Sequence, residues 1–183
     1  VFIDSTQGWL VTDDGLQSSA DNSPFIVATG GTITTSGNDT IHTFTGPGTF
    51  CVSKIANCAA NNQVSYVVVA GGGGGGGVTD HGGGGGAGGY RETKSPVTPY
   101  TASPLDGQPS APNRVTVTAT SFPITVGGGG ARAVSGSNSI FSTITSAGGG
   151  RGGQPPQGAE AGGSGGGSTY NASGGAGNTP PPS

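Results

Sequence analysis

Apolar and polar positions alternate in short runs over the first third of the chain and again between about residues 115 and 144, and no stretch carries the 3.6-residue apolar period of an amphipathic helix. Runs rich in Val, Ile, Thr, Phe and Tyr predict strands over 25–28, 40–45, 49–53 and 64–70. Gly46-Pro47-Gly48 reads as the turn joining the second of these to the third. The segment 115–119 alternates cleanly, which places Val115 and Val117 toward a core and Thr116 and Thr118 away from it. Residues 124–126 and 140–144 are shorter strand candidates, and 54–60 holds one helical turn at most. The expected class is all-β, a sandwich or jelly roll with essentially no α-helix.

The last of the early strands, 64–70, runs straight into seven consecutive glycines, 71–77. A flexible linker would mix in serine and would not start from a valine-rich strand. Five further tracts follow at 82–89, 127–130, 148–153, 162–167 and 174–177. Ordering a seven-glycine run costs on the order of 10 kcal/mol of backbone entropy, and no side chain is buried in return. What glycine offers is a backbone open to approach from every side. In the three-residue-per-turn polyproline II conformation, N–H and C=O groups point outward and can bond to several neighbouring helices at once. One tract alone would stay coil, whereas six can hold one another, so the sequence predicts a packed bundle of polyglycine II helices. Ala87, Arg151 and Ser164 are expected on outer faces of boundary helices. The non-glycine breaks 78–81, 154–161 and 168–173 are expected as loops at the bundle ends.

Seven of the 41 glycines lie in residues 1–70 and 34 in 71–183, so composition divides the chain into a strand-rich part, 1–70, and a glycine-rich part, 71–183, with interspersed strands. Gly and Pro together reach about 30%, the level at which disorder is the usual expectation. Charged residues are only 8% and the net charge is −3, unlike chains kept unfolded by their own charge.

Several ordered blocks carry a family resemblance. Gly30-Gly-Thr-Ile-Thr-Thr-Ser-Gly37, Ile41-His-Thr-Phe-Thr-Gly-Pro-Gly-Thr-Phe50 and Val64-Ser-Tyr-Val-Val-Val-Ala-Gly-Gly-Gly73 resemble the glycine-rich domain of tail-fibre and other virion proteins of aquatic tailed phages. Gly84-Gly-Gly-Ala-Gly-Gly-Tyr-Arg91, Tyr100-Thr-Ala-Ser-Pro-Leu105, Phe122-Pro-Ile-Thr-Val126 and Asn138-Ser-Ile-Phe-Ser-Thr-Ile-Thr-Ser146, the last two each leading into glycines, are similar to its later blocks. The resemblance spans roughly residues 28–183. It implies a place on the virion surface, or extracellular, beside other virion or fibre subunits and with homo-oligomers expected. Adhesins of related composition present recognition loops from stacked polyglycine helices. A jelly roll joined to polyglycine helices also occurs in the extracellular region of some animal receptor tyrosine kinases, a parallel of architecture alone. The start at Val1 and the lack of Met read as a piece of a longer polypeptide.

Catalytic motifs fail on inspection. Gly162-Gly-Ser-Gly-Gly166 has the spacing of a nucleophile elbow but no strand-turn-helix to strain the serine. Matches to G-x-G-x-x-G are inevitable in such runs, and no helix follows to hold a pyrophosphate. No enzyme activity, cofactor or metal is expected. The six basic residues are scattered and the pI is near 5, so nucleic acid is not an expected partner. No signal peptide or run of 18 apolar residues is visible, so no membrane insertion is expected.

Cys51 and Cys58 are spaced to close a small disulfide ring, to remain free thiols or, least in keeping with the absent second ligand pair, to bind metal. Residues 91–114 form a long segment with five prolines, either a strap over the sandwich edge or a presenting loop for Tyr100 and Leu105. Candidate receptor-binding positions are Asp80, His81, Tyr90, Tyr100, Leu105 and Tyr170, the tyrosines being large, amphipathic and low in rotamer entropy. A cell-surface glycan or an outer-membrane protein is the expected ligand. The alternatives are an extracellular fibre or coat subunit of a cellular organism, for which the sequons at Asn38 and Asn171 would matter, and a lectin-like module.

Overall fold

The computed structural model describes residues 2–4, 8–9, 23–77, 81–97, 101, 113–170 and 172–178. Among the described residues there are thirteen short strands, β1 (Phe2–Asp4), β2 (Gly8–Trp9), β3 (Val27–Thr29), β4 (Thr32–Ser36), β5 (Asp39–Thr43), β6 (Gly48–Lys54), β7 (Gln63–Val64), β8 (Tyr66–Val69), β9 (Tyr90–Thr93), β10 (Val115–Thr116), β11 (Ser121–Thr125), β12 (Ser139–Phe141) and β13 (Ile144–Ser146). The only helix among the described residues is a 3-10 turn, Ala59–Asn62, so the fold is all-β.

One antiparallel sheet has the order β13-β12-β11-β6-β3, and the pairs β7–β10 and β8–β9 form smaller antiparallel sheets. β12 and β13 lie against β8 and β9. Phe50 and Val52 of β6, Phe141 of β12 and Ile144 of β13 meet Val68, Val115 and Val117 in the shared core. The inward valines follow the predicted alternation, with Val115 4% and Val117 2% exposed. The strand itself stops after Thr116, and Val117 instead donates its amide to the Asn62 carbonyl. The composition break at residue 70 divides the chain and not the sandwich, since the large sheet takes strands from both sides of it.

Two expectations need correcting. The strand near 40–45 does not pair across Gly46-Pro47-Gly48. It forms a hairpin with β4, in register from Thr32↔Thr43 to Ser36↔Asp39. The two-residue loop Gly37-Asn38 has its left-handed φ, 58°, at the glycine, as a II′ turn requires. β6 then pairs with β3 and β11. The 140–144 segment is likewise a hairpin and not one strand, β12 turning into β13 with Ser142 at φ 54°.

Above the sandwich the glycine tracts are cross-linked by backbone hydrogen bonds that recur every third residue. Ala70, Gly73 and Gly76 donate to Gly89, Gly86 and Gly83, so 71–77 and 82–89 run antiparallel. Gly83, Gly86 and Gly89 donate in turn to Gly153, Gly150 and Ala147, also antiparallel. Gly149 and Gly152 donate to Gly71 and Gly74, and Gly150 and Gly153 to Ser164 and Gly167, which makes those pairs parallel. Gly130 and Ala133 reach Gly72 and Gly75, and Gly175 and Asn178 reach Gly166 and Gly163. The period of three is that of polyglycine II, and all six tracts take part.

Two return segments join them, 134–137, which composition did not flag, and 158–161, which was expected within the end loop 154–161 but packs in the bundle instead. Val134–Ser137 accepts from Gly74 and Gly71, and 158–161 lies beside 148–153 through Glu160 N–H to the Arg151 carbonyl. Among the described glycines only Gly30, Gly31 and Gly37 have positive φ. Glycine in the tracts therefore serves close approach and not an unusual backbone conformation.

Candidate functional site

The strands set the direction of the bundle. β8 leads through Ala70 into 71–77, β11 through Val126 into 127–130 and β13 through Ala147 into 148–153, while 82–89 returns to β9 at Tyr90. With 162–167 parallel to 148–153, the breaks after 77, 130, 153 and 167 gather at the end away from the sandwich.

The described parts of those breaks touch one another. The Thr169 hydroxyl donates to the His81 carbonyl. The His81 and Tyr170 rings lie 6.0 Å apart at 38°. The Gly77 amide donates to Gln154 Oε1 at 3.2 Å, and Gln154 and Gln157 exchange backbone hydrogen bonds around Pro155-Pro156. The Arg132 side chain lies over Gly77, where a Cβ would fall 2.1 Å from its Nε. Tyr170 is 75% exposed, so this end offers one bare aromatic ring among amides, an imidazole and a guanidinium. Such groups bind by stacking and hydrogen bonding.

Of the six candidate binding residues, His81 and Tyr170 are brought together. Tyr90 is not with them. Nine residues separate it from His81 along an extended helix, about 28 Å at polyproline II rise, and it stands on the outer face of β9 with its hydroxyl donating to Glu92. Asp80, Tyr100 and Leu105 lie outside the described residues. Arg132, Gln154 and Gln157 share the distal end but were not singled out from sequence. The signal was there, because 131–133 interrupts glycine as 78–81 does.

Both cysteines are free. Cys51 sits in β6 beside Ser121, whose hydroxyl donates to its Sγ at 3.5 Å. Cys58 is exposed on the 56–62 loop, which the Asn62 amide closes by bonding both backbone groups of Ala56. Among the described residues no three His, Cys, Asp or Glu gather as a metal site would require, and no helix is long and apolar enough to cross a membrane.

The interruptions inside the tracts divide. Ala87 and Ser164 are exposed, as expected. Arg151 is not on an outer face, its side chain being only 13% exposed. Its Nε pairs with Glu160 Oε1 at 2.9 Å, Ser135 donates to Glu160 Oε2 at 2.7 Å, and the Arg151 amide donates to Ser135 Oγ. This clamp ties both return segments to 148–153. The Ser135 hydroxyl first, and then the Arg151 hydrogen bond and charge, hold the Glu160 carboxyl below its ordinary 4.5 against a small opposing effect of burial.

A carboxylate with a depressed folded pKa stabilises above its unfolded value, and that contribution disappears as pH falls through the folded pKa. Glu160→Gln is therefore expected to lower the melting temperature slightly at pH 7, with the difference from wild type closing below about pH 4.5. A gap independent of pH would assign the effect to packing instead.

No curated protein and no solved structure matches the chain. A family model described as a glycine-rich domain matches residues 45–181, from just before β6 to beyond the last tract. The match covers about three quarters of the chain, and this protein belongs to the glycine-rich domain family.

Proposed function

We propose that the chain is a structural subunit of a phage tail fibre or another virion surface appendage, and that its distal loops meet the host receptor. The observation that carries this reading is the convergence of the loops at one end of a bundle whose helices continue the strands of a packed sandwich. Recognition loops work best when a rigid scaffold fixes their ends. Membership of the glycine-rich family and the resemblance to virion proteins support the setting. His81 and Tyr170 are the proposed receptor contacts, and a cell-surface glycan or an outer-membrane protein is the proposed ligand.

Two measurements test this. Antibodies raised against the purified chain should decorate virions in electron micrographs, and the purified protein should compete with phage for host cells. Replacing both His81 and Tyr170 by alanine should weaken competition at least about tenfold, the loss of a hot-spot pair, with the melting temperature unchanged. Decoration with undiminished competition by the double variant would leave a purely structural subunit. Absence of decoration would turn the reading toward a cellular fibre, coat subunit or lectin-like module.

A further inference from the structure

The polyglycine lattice is open along the flank formed by 71–77 and 82–89. On 71–77 and 82–89 every third residue continues the outward face of the strand below, giving Val69, Gly72 and Gly75 on one helix and Tyr90, Ala87, Gly84 and His81 on the other. At the base of this flank Val67, Val69 and Tyr90 are 57%, 54% and 44% exposed, the apolar outer side of the β8–β9 pair. Above them the surface is backbone interrupted by the Ala87 methyl and the His81 ring. The amides of Gly72, Gly75 and Gly84 have no partner among the described residues, whereas those of Gly71, Gly73, Gly74, Gly76, Gly83 and Gly86 each donate to a neighbouring segment.

Glycine at these outward positions has no cause within one molecule. A Cβ on Gly84 would meet nothing within 4 Å, and on Gly72 and Gly75 it would sit at ordinary contact distances of 3.6 and 3.5 Å. None of the three has positive φ. Alanine would fit and would reduce the entropy of the unfolded chain. At Gly73, Gly74 and Gly76, by contrast, a Cβ would fall within 2.2 Å of a carbonyl oxygen of a packed neighbour. The carbonyls of these residues accept from Gly130, Ala133 and Gly167, but their amides are unpaired among the described residues and packing does not require the missing Cβ, so this backbone is suited to another coming just as close.

We propose that this flank is the contact surface for a second copy of the chain. Three independent features point to that occupant. On 71–77 the unpaired amides, Gly72 and Gly75, are three residues apart, a spacing that another glycine helix matches and side-chain-bearing strands do not. The bundle already accepts parallel and antiparallel neighbours through the same repeat. The apolar base is complementary to itself, and a two-fold axis along the helices sets Val67, Val69 and Tyr90 against their counterparts. That arrangement places both sets of distal loops at one end of the pair. The inference stands on the flank alone and does not rest on the role proposed above.

Sedimentation equilibrium of the purified chain tests it. The wild type is expected to be a dimer, and Gly84→Glu a monomer at every concentration that melts where the wild type does when diluted to its monomer. Ala87→Glu enlarges a side chain already on this flank and decides the matter if Gly84→Glu fails to fold. Gly174→Glu, on a different helix and with its nearest atom at 3.5 Å, should remain dimeric. A wild type still monomeric at about 100 μM, or folded Gly84→Glu and Ala87→Glu variants that associate like wild type, would overturn the proposal.

Discussion

Gly74→Val is expected to destabilise the domain by about 3 kcal/mol or more, since overpacking costs about 1–3 kcal/mol where the surroundings can move and more where they cannot. A Cβ at this position would lie 1.8 Å from the Ala131 carbonyl oxygen and 3.0 Å from that of Gly130. Both obstacles are backbone, and neither can swing aside as a side-chain tip would. Displacing them would also strain the bonds from Gly74 to Val134 and from Gly152 to Gly74. For a chain of this size each kcal/mol lowers the melting temperature by about 2–4 °C, so a fall of about 6–12 °C or outright failure to fold is expected. Gly84→Ala, which meets nothing within 4 Å in its own chain, should be neutral or stabilise the monomer by up to about 1 kcal/mol. Equal effects of the two substitutions on thermal unfolding would contradict a packed bundle.

The same contrast explains what was legible in the sequence. The tracts could be located because a glycine required by close approach leaves a compositional mark. Partner choice and direction could not, because a bare backbone carries no side-chain code. That 71–77 runs parallel to 148–153 but antiparallel to 82–89 follows from the strands that feed them.

The return segment 134–137 joined the bundle unseen because Val134, Ser135 and Ser137 break the glycine pattern, yet its bonds are made by the backbone. β4 was missed because Thr32–Ser36 is exposed throughout and so shows no apolar alternation, and β9 because Arg91 and Glu92 fill half of its four residues. At the distal end His81 and Tyr170 were legible as non-glycine breaks, while their meeting across 89 residues depended on the packing direction of four helices.

Phe141→Ala should have the other large effect, about 3–5 kcal/mol for truncating a buried phenylalanine. Phe141 is 9% exposed and its ring centroid lies 6.2 Å from Phe50, 6.0 Å from Tyr66 and 6.2 Å from Phe122, so it joins β12 to β6, β8 and β11. The consequence should extend beyond the sandwich. β8, β9, β11 and β13 pass within two residues into glycine helices whose one largely buried long side chain among the described residues is that of Arg151, and ordering each glycine costs about 1–2 kcal/mol. Held by backbone hydrogen bonds worth about 1 kcal/mol each, the bundle depends on the strands to fix the ends of its helices. Hydrogen exchange at the amides of Gly73, Gly86 and Gly150 should therefore lose protection in the same transition as the core amides, and Phe141→Ala should shift both together. Tract amides that stay protected after the core has melted would make the bundle an independently stable unit and the sandwich only its neighbour.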